Sequence, residues 1–157
     1  MKYFTKELWK AINSEDPNKR SDAERQWHNN GVAYMEYISA NKRVLPQKVD
    51  DLFAKYAGLH DATLSEISLL MDKEKSIKLV FNVNNANVVI SLEEVQSVSM
   101  SLFSLTDIAG RKLSLGYHEF EFLESNRIRF SAIFDTENEV DIIFKSINMF
   151  EEISCTT

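Results

Sequence analysis

The apolar residues of this 157-residue chain recur at helical spacing as far as Gly58 and at every second position after it. No other feature restricts the fold as much, because a stripe of period 3.6 and a face of period 2 bury their side chains in different ways. Before Gly58, Phe4, Leu8 and Ile12 are four apart, and Thr5 is placed to cap a short helix ending before Asn13. Asp16-Pro17 interrupts it. Ser21-Asp22-Ala23-Glu24 has the spacing of a capping box and is expected to open a long second helix, with Ala23, Trp27, Gly31, Tyr34 and Ile38 as its stripe. Trp27 is expected in the core, and Gly31, which costs about 1 kcal/mol against Ala, is expected to permit a close contact. Leu45-Pro46 separates this helix from a third, which buries Val49, Leu52, Phe53 and Tyr56 and leaves Gly58 at a left-handed C-terminal position.

Beyond Gly58, Ile77, Leu79, Phe81 and Val83 alternate with Ser76, Lys78, Val80 and Asn82, between the turn-forming runs DKEK and NNAN. Val88, Ile90 and Leu92 continue the pattern, and Val98, Met100 and Leu102 form a strand whose other face is small and half-polar. Residues 104–112 read as a helical turn and loop. In GYHEFEFLESNRIRFSAIF, a turn at Glu124-Ser125-Asn126 sets Phe122 opposite Ile128, Phe120 opposite Phe130 and Glu121 opposite Arg129. A slip of one residue would send the phenylalanines to solvent. After a turn at DTENE, Val140, Ile142 and Phe144 mark a last strand. Helices grouped first and strands grouped afterwards predict an α+β fold, with N-terminal helices packed on one face of a mostly antiparallel meander sheet. One domain over 1–157 is expected, helical over 1–58 and strand-rich over 59–153.

Composition bears on what such a domain can do. With 44% hydrophobic residues, four Gly and two Pro, the chain can bury a core without a disulfide or a metal. Its single cysteine, Cys155, suits a reducing compartment, and no run resembles an export signal or a membrane span, so a cytoplasmic protein is expected. The net charge of −6 is unevenly spread: residues 1–58 carry ten Lys/Arg against eight Asp/Glu, residues 59–157 eight against sixteen. An acidic surface repels phosphate backbones, which argues against general nucleic-acid binding and favours a basic protein partner or none.

Two short motifs bear titratable groups. His60-Asp61, in GLHDATL, is the signature pair of metal-dependent phosphohydrolases, but such a centre needs three or more ligands from separate elements, and this chain has three histidines in all. The structural reading is that Asp61 or His60 bonds free backbone groups where the first strand begins. His118-Glu119 lies in the aromatic hairpin, where alternation puts His118 with Phe120 and Phe122 and turns Glu119 to the other side with Glu121. Should His60 and His118 be neighbours in space, they and Asp61 would form a small site for proton transfer or a metal. The candidate binding residues are therefore His60, Asp61, His118 and Glu119. Phosphate-cradle, zinc-finger and nucleophile-elbow motifs are absent, and no cofactor or resident metal is expected.

The opening MKYFTKEL, the segment LHDATL at the start of the strand-rich half, the aromatic-acidic YHEFEF and the late VDIIFKSI together resemble a family of small Gram-positive bacterial proteins of unknown function. The likeness spans most of the chain. It implies a bacterial cytoplasmic origin and an α+β fold, makes the HDA segment a family feature, and transfers no catalytic residue. The expected function is that of a non-enzymatic binding or interaction protein, antidote-like toward a basic partner, with a homodimer left open. The competing expectation is a small metal-assisted hydrolase using His60, Asp61 and His118.

Overall fold

Caps and turns set most element boundaries in the computed structural model, which describes residues 1–41, 44–70, 75–101 and 112–153. The expected turn over 104–112 and Cys155 lie outside them, apart from Lys112. Helix α1 (Lys6–Ile12) is capped by the Thr5 hydroxyl, which accepts from the Leu8 N–H. Helix α2 (Pro17–Ala40) begins four residues before the expected capping box. Asp16 accepts from the Asn18 and Lys19 N–H groups, and Pro17 has the backbone angle a first helical turn needs and no N–H to leave unpaired. Helix α3 (Gln47–Lys55) ends at Tyr56, and a single 3₁₀ turn (Ala57–Leu59) carries the chain into the sheets.

Among the described residues, eight antiparallel strands form two four-stranded sheets. The first contains β1 (Thr63–Leu70), β2 (Ser76–Val83), β3 (Ala86–Glu93) and β8 (Ser146–Ile153), in the order β1-β2-β3-β8. The second contains β4 (Ser97–Met100), β7 (Glu139–Phe144), β6 (Arg127–Phe134) and β5 (Leu115–Leu123), in the order β4-β7-β6-β5. The β5–β6 hairpin has the expected register, with Phe120 opposite Phe130, Phe122 opposite Ile128 and Glu121 opposite Arg129. Strand β8 extends the alternation past Lys145, with Ile147 and Met149 buried. On β4 all four residues are exposed, Val98 and Met100 included, so its apolar face is not the buried face the alternation implied.

The two sheets share their chain. β3 runs through Glu94, whose φ is 50°, into β4, and β7 runs through Lys145 into β8, so the same two segments pair first in one sheet and then in the other. Bonds from Lys145 N–H to Glu93 O and from Gln96 N–H to Ile143 O span this corner. At the opposite side, Asp61 N–H donates to Leu115 O, Leu115 N–H to Ala62 O and Leu64 N–H to Leu113 O, each at 2.9 Å. Hydrogen bonding thus passes from β1 round both sheets and back to β1, which leaves few free edges. Phe81, Val88, Ile90, Phe130, Ile142 and Phe144 meet inside, and Val49, Tyr56 and Leu59 from the helical part join the same cluster.

The helices gather round β5. The N-terminal segment and α1 cover its outer face, with Trp9 so close to Gly116 that a Cβ there would lie 2.7 Å from the indole Cη2. Helix α2 runs along the β5 edge, where the Tyr34 and Tyr37 hydroxyls accept from the Phe120 and Phe122 N–H groups at 2.7 Å each. Two tyrosines thereby take the place of a neighbouring strand. From α3, Phe53 stacks on His118 with ring centroids 4.7 Å apart. Charge also joins the two parts: Lys10 pairs with Glu137 at 2.9 Å, Lys55 with Glu151 at 2.6 Å and Lys6 with Glu139 at 4.0 Å. Such exposed pairs add little to stability, but they neutralise part of the acidity available to a partner. Among the described residues, no helix is long and apolar enough to cross a membrane.

Candidate binding groove beside strand β5

The motif residues are brought together in part. The turn from α3 into β1 has three non-glycine residues at left-handed φ, Ala57 (49°), Leu59 (58°) and Asp61 (62°), beside Gly58 at 67°. Each such residue costs about 1–2 kcal/mol and persists only where its surroundings impose it. Here the imposition comes from the bonds to β5, since it is the Asp61 backbone N–H, and not its carboxylate, that donates to Leu115. The carboxylate lies outside, 83% exposed, 3.0 Å from Nδ1 of the half-exposed His60. Inside the turn, a Cβ at Gly58 would lie 3.7 Å from His118 Cε1, so turn and imidazole adjoin. His60 and His118, 58 positions apart, border one cavity of about 210 Å³ with Tyr34, Met35 and Tyr117.

Glu119 is not part of this site. Alternation turns it to the outer face of β5, where it is 3% exposed and accepts from the backbone N–H groups of Lys2 at 2.7 Å, Tyr3 at 3.1 Å and Phe4 at 3.4 Å. Its role is to hold the N-terminal segment on the sheet. Among the described residues, no three His, Cys, Asp or Glu side chains are grouped so as to hold a metal ion. Of the three residues of the hydrolase reading, His60 and His118 border the cavity and the Asp61 carboxylate lies outside it.

The larger feature lies along α2. Of its 24 residues only Ala23 and Tyr34 are buried. Trp27, expected in the core, is only partly covered: Phe4, Tyr117 and Trp9 pack on its ring at 4.6, 5.0 and 5.9 Å, and it borders a groove. Gly31 permits no close contact, since nothing lies within 4 Å of a Cβ placed there. What its missing side chain does is keep the groove open. Two adjoining hollows, of about 600 and 490 Å³, share Trp27, His28 and Tyr117 and lead to the cavity at His118. Val32, 51% exposed, and Met35, 63% exposed, stand on the rim. All three histidines of the chain border this continuous surface, although the sequence motifs pointed to two. The signal for the α2 residues was a second apolar row, Val32 and Met35, beside the main stripe, too wide an arc for a helix with one buried face.

Comparison of the chain with protein-family models and with curated proteins finds no match. The reading of the groove therefore rests on its chemistry.

Burial sets the protonation of that chemistry. Desolvation pushes the Tyr34 hydroxyl well above its ordinary range, and desolvation together with the nearby Glu119 raises Tyr117, so both remain phenols. Desolvation lowers His118 from 6.5 to about 4, leaving it neutral at pH 7. Because the unfolded chain binds this proton more readily, stability is fully present above pH 6.5 and declines as pH falls from 6.5 toward 4. With allowance for the partial exposure of the ring, the loss should reach about 2 kcal/mol. Denaturant titrations of the wild type and His118→Phe across pH 4–7 check this. As pH falls from 6.5 toward 4 the wild type should lose stability relative to His118→Phe by about that amount, and parallel curves would contradict the assignment.

Proposed function

We propose that the protein is a non-enzymatic binding protein whose groove between α2 and β5 receives a basic amphipathic segment of a partner protein. The observation that carries this reading is the open apolar surface along a 24-residue helix: Trp27, Gly31, Val32, Met35 and Tyr117 supply the floor and rim. A helix that hides so little of itself in its own fold, and presents Val32 and Met35 to water, suits an amphipathic element laid into a groove. Charge complementarity favours a basic occupant. Glu24, 4.0 Å from Arg20, and Glu36, which has no ion-pair partner among the described residues, border the two hollows about 18 Å apart along the helix axis.

The test is fluorescence anisotropy with a labelled amphipathic helix of leucine and lysine, beside a control in which glutamate replaces lysine. The lysine peptide is expected to bind, to weaken with added salt, and to lose about tenfold or more in affinity with Met35→Asp or Gly31→Leu. Equal affinity for both peptides, or indifference to both substitutions, would sink the proposal.

A further inference from the structure

The cavity at His118 has a chemistry of its own, separate from the apolar rim of α2. Its position follows from the edge of β5. On an antiparallel strand, N–H groups alternate between those paired with the neighbour and those pointing away. Along β5, the groups of Phe120 and Phe122 point away from β6 and are taken by the Tyr34 and Tyr37 hydroxyls. The next in that row is the N–H of His118, and at Leu115 the edge is again occupied, by the bonds to Asp61 and Ala62. The cavity lies in the interval between, bordered by Gly116, Tyr117 and His118.

The imidazole adds to this. Its ring is held by Phe53 at 4.7 Å, Phe130 at 5.7 Å and Phe120 at 5.8 Å, yet neither nitrogen has a hydrogen-bond partner among the described residues. Neither nitrogen is sealed in: among the described residues, the one buried side-chain nitrogen or oxygen without such a bond is Arg129 Nε. A neutral imidazole offers one donor and one acceptor, on either side of Cε1, so one ring nitrogen can accept from a ligand N–H while the backbone N–H donates to its neighbouring acceptor. Among the described residues, no Lys, Arg, Asp or Glu lines the cavity, so a charged ligand would be desolvated there without a counter-ion. Its volume, about 210 Å³, is below the roughly 300 Å³ at which pockets for drug-sized molecules begin, and suits one or two fused rings.

We propose that this cavity binds an uncharged planar heteroaromatic ring carrying a carbonyl or ring-nitrogen acceptor next to an N–H, as in a purinone or pyrimidinone base, against the edge N–H and the imidazole of His118. The cavity opens off the α2 groove at Met35 and Tyr117, but the inference does not depend on a protein partner.

The experiment is an amide NMR titration of the full chain with hypoxanthine, uracil, indole and benzoate. Hypoxanthine or uracil should give saturable shifts at residues 57–60 and 116–118. Indole, which lacks the acceptor, and benzoate, which is charged, should bind at least about tenfold more weakly. His118→Phe retains a flat ring against Phe53 and removes both nitrogens, and should weaken hypoxanthine or uracil binding by about tenfold or more. Met35→Trp places bulk at the mouth from an exposed position, and decides the matter if the first variant does not fold. No saturable shifts with either base, equal binding of indole, or unchanged affinity in the folded variants would overturn the proposal.

Discussion

Replacing Glu119 with alanine is expected to destabilise the protein by about 3 kcal/mol, a fall in Tm of about 6–12 °C for a chain of this length. The carboxylate is 3% exposed and is an acceptor for three consecutive backbone N–H groups, those of Lys2, Tyr3 and Phe4. Hydrogen bonds to a charged acceptor contribute about 1.5–3 kcal/mol each. The three will not sum fully, since the released segment can find water. Glu119→Gln retains one acceptor but brings two donors into a place already crowded with donors, and should fall between the wild type and alanine. Thermal denaturation at pH 7 measures all three proteins. A fall of less than 2 °C for alanine would mean that the N-terminal segment is held by other contacts.

Phe4→Ala should cost about 4 kcal/mol, the upper part of the range for large-to-small replacement of a buried aromatic. Phe4 is 0% exposed, with ring centroids 3.9 Å from Tyr117, 4.6 Å from Trp27 and 5.8 Å from Tyr34. Removing it opens a hole at the junction of β5, α2 and the N-terminal segment. Trp27 and Tyr117 line the groove, so tryptophan emission should move to longer wavelength while the sheets remain folded. Because Glu119 and Phe4 both hold the N-terminal segment on the sheet, their effects are coupled. The double variant should lose less than the sum of the two single losses by at least about 1 kcal/mol. Additive losses in a double-mutant cycle would show that the two contacts act independently.

Both predictions concern a feature that alternation half disclosed. Reading β5 at period two correctly turned Glu119 away from His118, and the register of Phe120 with Phe130 followed from pattern alone because only one register buries both rings. What took the Glu119 carboxylate lay more than a hundred residues away in the chain, and no local spacing encodes a contact of that separation. The second helix shows the same limit at shorter range. Its stripe was legible, yet its first turn was misplaced, because Asp16 followed by Pro17 is a stronger cap than the S-x-x-E spacing beyond it. Trp27 was assigned to the core from its place in the stripe, but α2 lies along a sheet edge, which buries a narrower arc than a sheet face does. Strand β8 was overlooked because Glu151 and Glu152 follow Ile147 and Met149 and dilute the alternation.

By itself, then, the sequence determined the class of fold, the grouping of helices before strands, the hairpin register and the left-handed turn at Gly58, all consequences of local periodicity and backbone preference. Tertiary structure alone decided that the strands divide into two sheets sharing bent segments, that His60 and His118 border one cavity, and that α2 leaves a groove open beside β5. These depend on where a strand edge is left unpaired, which is a property of the assembled sheets and not of any stretch of the chain.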